Sequence, residues 1–179
     1  LASEFMHFAF NKSAELTGAR LIFVPSDPVT KKVSLHELRK YINWYGSKNI
    51  AAIVASAPNW PTGAMDDIKA LGIIAHENGV PLHVDSCLGG FVTIFCEEIV
   101  ADFRCKGVVS VSLDCHKYGC TGKGSSIVVF KKSYGITPTM EYLNHEAGCY
   151  LTMALSGSSR GEAILELYAI LTTFGLDHW

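Results

Sequence analysis

Short apolar runs alternate with longer amphipathic stretches along this chain, and that alternation constrains the fold more than any other feature. Arg20–Val24, Asn49–Ser56, Val80–Val84, Gly107–Leu113 and Ser125–Phe130 read as strands, with Cys149–Leu155 as a further candidate. Phe5–Leu16 reads as a helix closed by Gly18. A capping box, Ser34-Leu-His-Glu37, opens a second helix that runs to Tyr45 and stops at Gly46. Met65–Asn78 is a third, with Gly79 just past its end, and Glu162–Phe174 a fourth. Strands separated by helices of roughly 10–15 residues make βαβ units, so the pattern predicts one α/β domain on a mostly parallel sheet. In such sheets the chemistry gathers past the carboxyl ends of the strands.

Composition narrows the function classes. The 179 residues are 49% hydrophobic with a formal net charge of −2, and the pI is near 6.4. That apolar content offsets the ordering entropy that leaves polar chains unfolded. The charge lacks the basic excess that a nucleic-acid binder sets against phosphates, so no nucleic-acid partner is expected. No apolar run reaches the ~18 residues of a membrane span. Cys87, Cys96, Cys105, Cys115, Cys120 and Cys149 lie in apolar segments, without a secretory leader pattern at Leu1 and without Cys-x-x-Cys spacing. Reduced thiols are expected, in an intracellular setting and with no metal site. Asn11-Lys12-Ser13 matches a glycosylation sequon inside a predicted helix. The chain has no initiator Met and stops shortly after a helical stretch, as expected of a piece of something larger.

Two strand ends carry candidate chemistry. His83-Val-Asp85-Ser-Cys-Leu-Gly-Gly90 delivers an aspartate at the end of an apolar run, followed by two glycines that leave backbone room for a pocket. Ser112-Leu-Asp-Cys-His-Lys-Tyr-Gly119 sets a lysine between a strand and a glycine-rich loop, Gly122-Lys-Gly-Ser-Ser126. Taken singly, Asp85 is an ordinary turn or capping residue and Lys117 an ordinary surface lysine. Together they are more specific. They stand about 32 residues apart, one βαβ crossover, which places a carboxylate and an amine at the same sheet edge. Pyridoxal phosphate uses such a pair: the lysine binds the aldehyde as a Schiff base, and the acid keeps the pyridine nitrogen protonated so that the ring is an electron sink.

The chain resembles the sphingosine-1-phosphate lyase family, among the group II decarboxylase-like pyridoxal-phosphate enzymes. The resemblance runs collinearly through His7-x-x-Phe10-Asn-Lys12, Ala57-Pro-x-x-Pro-x-Gly63, His83-Val-Asp-x-Cys-Leu-Gly-Gly-Phe91, Asp102-Phe-Arg-x-Lys-Gly-Val108, Asp114-x-His-Lys-Tyr-Gly119 and Lys123-Gly-Ser-Ser126. It implies the three-layer, mostly parallel sheet of a fold type I large domain, present here in part over residues 1–179. An upstream glycine-rich phosphate loop and a small C-terminal domain would lie outside the chain, so weak cofactor binding and little turnover are expected of these residues alone. The implied reaction is retro-aldol cleavage of a phosphorylated long-chain base to a fatty aldehyde and phosphoethanolamine. By resemblance Lys117 binds the cofactor aldehyde, Asp85 pairs with the pyridine nitrogen, His7 stacks on the ring and His116 contacts the cofactor phosphate. Lys123 and Arg160 meet the substrate phosphate. Family members are homodimers, and eukaryotic members carry a membrane anchor that would place a parent protein at the endoplasmic reticulum.

Departures from the family pattern are local. Ser86 replaces a usual Ala, tolerable where its hydroxyl finds a partner. Arg160, in Gly157-Ser-Ser-Arg-Gly161, stands one place late, and Glu146 occupies the position of a Trp. Within the cofactor class the alternative is an amino-acid decarboxylase, and a non-catalytic truncated subunit is a further one. Two rivals come from other classes. Gly157–Gly161 fits the Gly-x-Ser-x-Gly of a serine hydrolase, but downstream of Ser159 the acid and base are the adjacent Asp177 and His178, which cannot readily serve one serine. Gly119-x-x-Gly122-Lys-Gly124-Ser125 has its lysine before the last glycine, against the order of a phosphate-binding loop.

Overall fold

A computed structural model describes residues 1–134, 140–146, 148–152, 157 and 160–175. Six strands form one sheet in the order β2-β1-β3-β4-β5-β6: β1 Ala2–Ser3, β2 Phe23–Val24, β3 Ile53–Ser56, β4 Leu82–Asp85, β5 Val108–Asp114 and β6 Ser126–Phe130. The first five run parallel, and β6 returns antiparallel to β5. The helices are α1 Ala9–Thr17, α2 Leu35–Tyr45, α3 Ile68–Asn78, α4 Gly90–Thr93 and α5 Gly161–Phe174. A separate antiparallel pair, β7 Met140–His145 and β8 Gly148–Thr152, follows β6. The expected mixed, mostly parallel α/β architecture is present.

The two faces of the sheet differ in kind. Register pairs Ile53 with Leu82 and Ala55 with Val84, and Val84 with Val111. These side chains join α2 through Leu38 and Ile42 and α3 through Leu71 and Ile74 in one buried cluster. The alternate positions pair Ser56 with Asp85 and Asp85 with Ser112, and His83 with Ser110. One face therefore holds the apolar core and the other presents polar groups, as the period-two alternation of strands requires.

Local signals set the helix ends. The Ser34 hydroxyl accepts from the Glu37 amide and Gly46 closes α2, while Gly18 and Gly79 end α1 and α3 in the left-handed conformation. Two expectations are corrected. The first helix begins at Ala9, because Ala2 and Ser3 are drawn into the sheet between β2 and β3, a long-range pairing that local periodicity does not report. The third helix begins at Ile68, capped by the Asp67 carboxylate accepting from the Ala70 amide at 2.9 Å. The last candidate strand is described as Gly148–Thr152, and residues 153–155 lie outside the described residues. So do Ser158 and Ser159 of the hydrolase-like motif.

Asp66 is the buried polar anchor of this half. Its Oδ1 accepts the Val33 amide and its Oδ2 the Ser56 amide, both at 2.8 Å. Burial raises its pKa above the usual carboxylate value, against the pull of the two backbone donors. Replacing Asp66 with Ala leaves two buried N–H groups without an acceptor and is expected to cost about 2–6 kcal/mol, at ~1–3 for each donor, measured by urea unfolding. A carboxyl whose pKa rises on folding adds stability below its unfolded value and loses that addition as pH rises through its folded value. The stability difference between wild type and Asp66→Asn is therefore expected to shift against wild type as pH is raised from 4 to 7.

Candidate active site

β4 ends on Asp85, which is buried at 6% exposure. Its Oδ1 accepts the Cys87 amide at 3.1 Å and the Ser112 hydroxyl at 3.2 Å, the latter from the facing position on β5. Among the described residues no donor reaches Oδ2. His83, two positions earlier on the same face, pairs its Nδ1 with the Ser110 hydroxyl at 2.8 Å and meets Phe10 of α1 edge-on, with ring centroids 5.7 Å apart. Burial lowers the His83 pKa, with the Asp85 charge opposing.

Beyond β5 the chain turns into the loop that carries Lys117. The lysine Nζ lies 2.9 Å from Asp114 Oδ2 and donates to Cys87 Sγ at 3.0 Å. Burial alone would lower the lysine pKa, but the Cys87 and Asp114 contacts outweigh it and hold it above the ordinary value. Cys87 thus touches both candidates, with its amide on Asp85 and its sulfur on Lys117. Burial pushes the Cys87 thiol up to about 11. Asp85 at the end of β4 and Lys117 in the loop after β5 are thus linked through Cys87, and the carboxylate in contact with the lysine is Asp114.

Packing around the pair is close. The Ser86 hydroxyl donates to the Ala57 carbonyl at 2.8 Å, the partner that makes Ser tolerable there. A Cβ on Gly89 would stand 2.4 Å from the Ala57 carbonyl oxygen, and one on Gly90 would stand 2.5 Å from Leu113 Cδ2. The room at these glycines, read from the sequence as space beside a pocket, is filled by the chain itself.

The other expected residues are distributed as follows. His116 places Nδ1 2.6 Å from the Ser125 carbonyl and Nε2 3.7 Å from Asp114 Oδ2, so it adjoins the Lys117 cluster. A carbonyl only accepts, which puts a proton on Nδ1. His7 is exposed just past β1. Its Nδ1 accepts the Ala9 amide at 3.2 Å, and its ring meets Trp60 edge-on at 6.1 Å. Lys123 and Arg160 line one groove with Ile127, Ile164 and Leu167, between the β5–β6 loop and α5. Arg160 is paired with Glu162 at 3.0 Å. Neither Lys117 nor Asp85 lines that groove, so the structure forms two clusters, one at the strand ends and one beside α5.

The chain as a whole is similar to known proteins. The family described as "Pyridoxal-dependent decarboxylase conserved domain" matches residues 1–179. The chain belongs to that family. It is 43% identical over 179 residues to a probable sphingosine-1-phosphate lyase of Legionella pneumophila, covering 98% of this chain and 29% of that protein. It is 40% identical over 177 residues to the sphingosine-1-phosphate lyase of Saccharomyces cerevisiae, covering 94% of this chain and 29% of the relative. The solved sphingosine-1-phosphate lyase of Burkholderia pseudomallei superposes with a TM-score of 0.87 at 34% identity, over 99% of this chain and 41% of that one. The chain thus spans about a third of the length of the curated relatives it matches.

The residues of this family member fit a pyridoxal group on a structural observation. Asp85 is a buried carboxylate with one oxygen satisfied and the other without a donor among the described residues, and a buried acceptor calls for a partner. Sequence reading did not assign roles to Ser112, which orients Asp85, or to Cys87 and Asp114, which hold Lys117. Asp114 carried one available signal, its spacing three residues before a lysine in a turn.

The thiol's environment gives a prediction. With its pKa near 11, about one Cys87 in a thousand is thiolate at pH 8, and thiolate is the reactive form. Iodoacetamide at pH 8 is expected to alkylate exposed Cys120 and leave Cys87 unmodified, read by peptide mass mapping.

Proposed function

We propose that this chain carries the lysine and the pyridine-binding acid of a pyridoxal-phosphate-dependent carbon–carbon lyase acting on a phosphorylated long-chain base. The carrying observation is Cys87, which joins the two groups: its amide binds Asp85 at 3.1 Å and its sulfur receives the Lys117 amine at 3.0 Å. The amine and the acid are thereby held at one sheet edge. The sphingosine-1-phosphate lyase relatives, at 43% and 40% identity, support the lyase reading over an amino-acid decarboxylase.

When bound, pyridoxal phosphate supplies an electron sink for the electrons left on Cα. The chain's own residues hold and orient. Lys117 offers the amine that bonds the aldehyde. Asp85 would pair with the pyridine nitrogen and keep it protonated, while the Ser112 hydroxyl and the Cys87 amide hold its carboxylate in place. His116 would contact the cofactor phosphate. His7, just before α1, would cover the ring.

Lys123 and Arg160 take the substrate phosphate in the groove beside α5, with the alkyl chain directed away from that charge. In the cleavage the Cβ hydroxyl loses its proton, the Cα–Cβ bond breaks, and Cβ leaves as an aldehyde. Cα gains a proton and departs as phosphoethanolamine. The partner class is a phosphorylated sphingoid base, with a second copy of the chain completing the site in a homodimer.

Borohydride reduction of the full-length protein with pyridoxal phosphate, followed by peptide mapping, is expected to give a pyridoxyl adduct confined to Lys117 and lost in Lys117→Arg. Adducts scattered over exposed lysines would refute the assignment. With substrate, release of a fatty aldehyde is expected; release of carbon dioxide from an amino acid would favour the decarboxylase instead.

A further inference from the structure

Asp114 closes β5 and is held on three sides. Its amide donates to the Cys87 carbonyl at 3.2 Å, and its Oδ1 accepts the Ser126 hydroxyl at 2.5 Å from the facing position on β6. Its Oδ2 lies 2.9 Å from Lys117 Nζ. Both side chains are mostly buried, at 15% exposure for the carboxylate and 27% for the lysine. The groups facing this amine are few. Cys87, from the segment after β4, presents a thiol that stays protonated at neutral pH. His116 Nε2 lies 3.7 Å from the same Asp114 oxygen, and Asp85 is engaged by Cys87 and Ser112. Asp114 is the only anion among the described residues in ion-pair contact with Lys117.

We propose that Asp114 is the docking carboxylate on which the Lys117 ammonium rests whenever the amine is not bonded to a carbonyl carbon, and hence a positioning residue of the site. This rests on the reading of Lys117 as the aldehyde-binding amine. An amine attacks a carbonyl with its lone pair, which the docked ammonium lacks. When an entering amine replaces Lys117, its nitrogen bonds the carbonyl carbon as the Lys117 C–N bond breaks. The entering amine arrives as an ammonium and loses two protons in the exchange; both pass to the lysine nitrogen, which keeps the one it carried while bonded and so leaves as an ammonium. Docking on Asp114 holds that ammonium in place, favours departure of the lysine over its return, and leaves the carbonyl carbon to the incoming amine. The Ser126 hydroxyl and the Cys87 carbonyl keep the carboxylate from following Lys117 when it moves.

The test is competitive labelling of the full-length protein, freed of cofactor, with acetic anhydride across pH 7–12, read lysine by lysine by mass mapping. In wild type, Lys117 is expected to label with a midpoint above the ordinary lysine value of about 10.4. In Asp114→Asn the midpoint is expected to fall and the labelling rate at pH 9 to rise severalfold, and Asp114→Glu is expected to restore much of the wild-type profile. A wild-type midpoint at or below the ordinary value, or a profile unchanged in Asp114→Asn, overturns the proposal. If Asp114→Asn does not fold, the wild-type midpoint decides alone: above the ordinary value it supports the docked pair, and at or below that value it overturns it. A shifted profile without a pyridoxyl adduct at Lys117 would refute the functional reading and leave the docking pair standing; an adduct with no shift would do the reverse.

Discussion

The parallel pairing of β4 with β5 is the constraint on which the rest of this structure depends. Parallel neighbours bring their carboxyl ends to one edge, and here the register sets Asp85 beside Ser112. The ladder continues past the strands: the Ser86 amide donates to the Ser112 carbonyl at 3.0 Å and the Asp114 amide to the Cys87 carbonyl at 3.2 Å. Those two bonds tie the segment after Asp85 to the end of β5. Cys87 consequently reaches both the acid and the lysine, and a slip of one residue would turn Asp85 toward the core and separate the pair.

The division of labour between the two sheet faces follows from the same geometry. One face buries Ile53, Ala55, Leu82, Val84 and Val111 against α2 and α3 and supplies the hydrophobic stabilisation. The other presents Ser56, His83, Asp85, Ser110 and Ser112, whose polar groups are affordable there because each of the last four has a side-chain partner. Gly89 and Gly90 let the turn after β4 settle against Ala57 and Leu113 at distances no side chain permits. The loop bearing Cys87 is therefore fixed by backbone contact, and its thiol is placed without relying on the flexibility of a long side chain.

Much of the site was legible because its key residues sit at strand ends, where a polar residue closing an apolar run is conspicuous. Asp85 and Lys117 could be paired from their spacing alone, and the capping box at Ser34 marked the start of α2. The supporting residues were not legible in the same way. Ser112 orients Asp85 only because the strands are in that register, and Asp66 is a buried anchor only because the Val33 and Ser56 amides converge on it from segments far apart in the chain. Lys123 and Arg160 share a groove because α5 packs near the β5–β6 loop, and nothing local to either residue says so.

The sequence by itself determined the alternating α/β class and the helix stops at Gly18, Gly46 and Gly79, and it singled out Asp85 and Lys117 as candidates, because each is written in residue type and short-range periodicity. Only the tertiary structure decided that Ala2–Ser3 is a strand, that β6 runs antiparallel, and that Asp114 and Cys87 are the groups that hold Lys117. Those outcomes are settled by which backbone donors and acceptors find one another across the sheet, a long-range competition that a local pattern of apolar and polar residues does not encode.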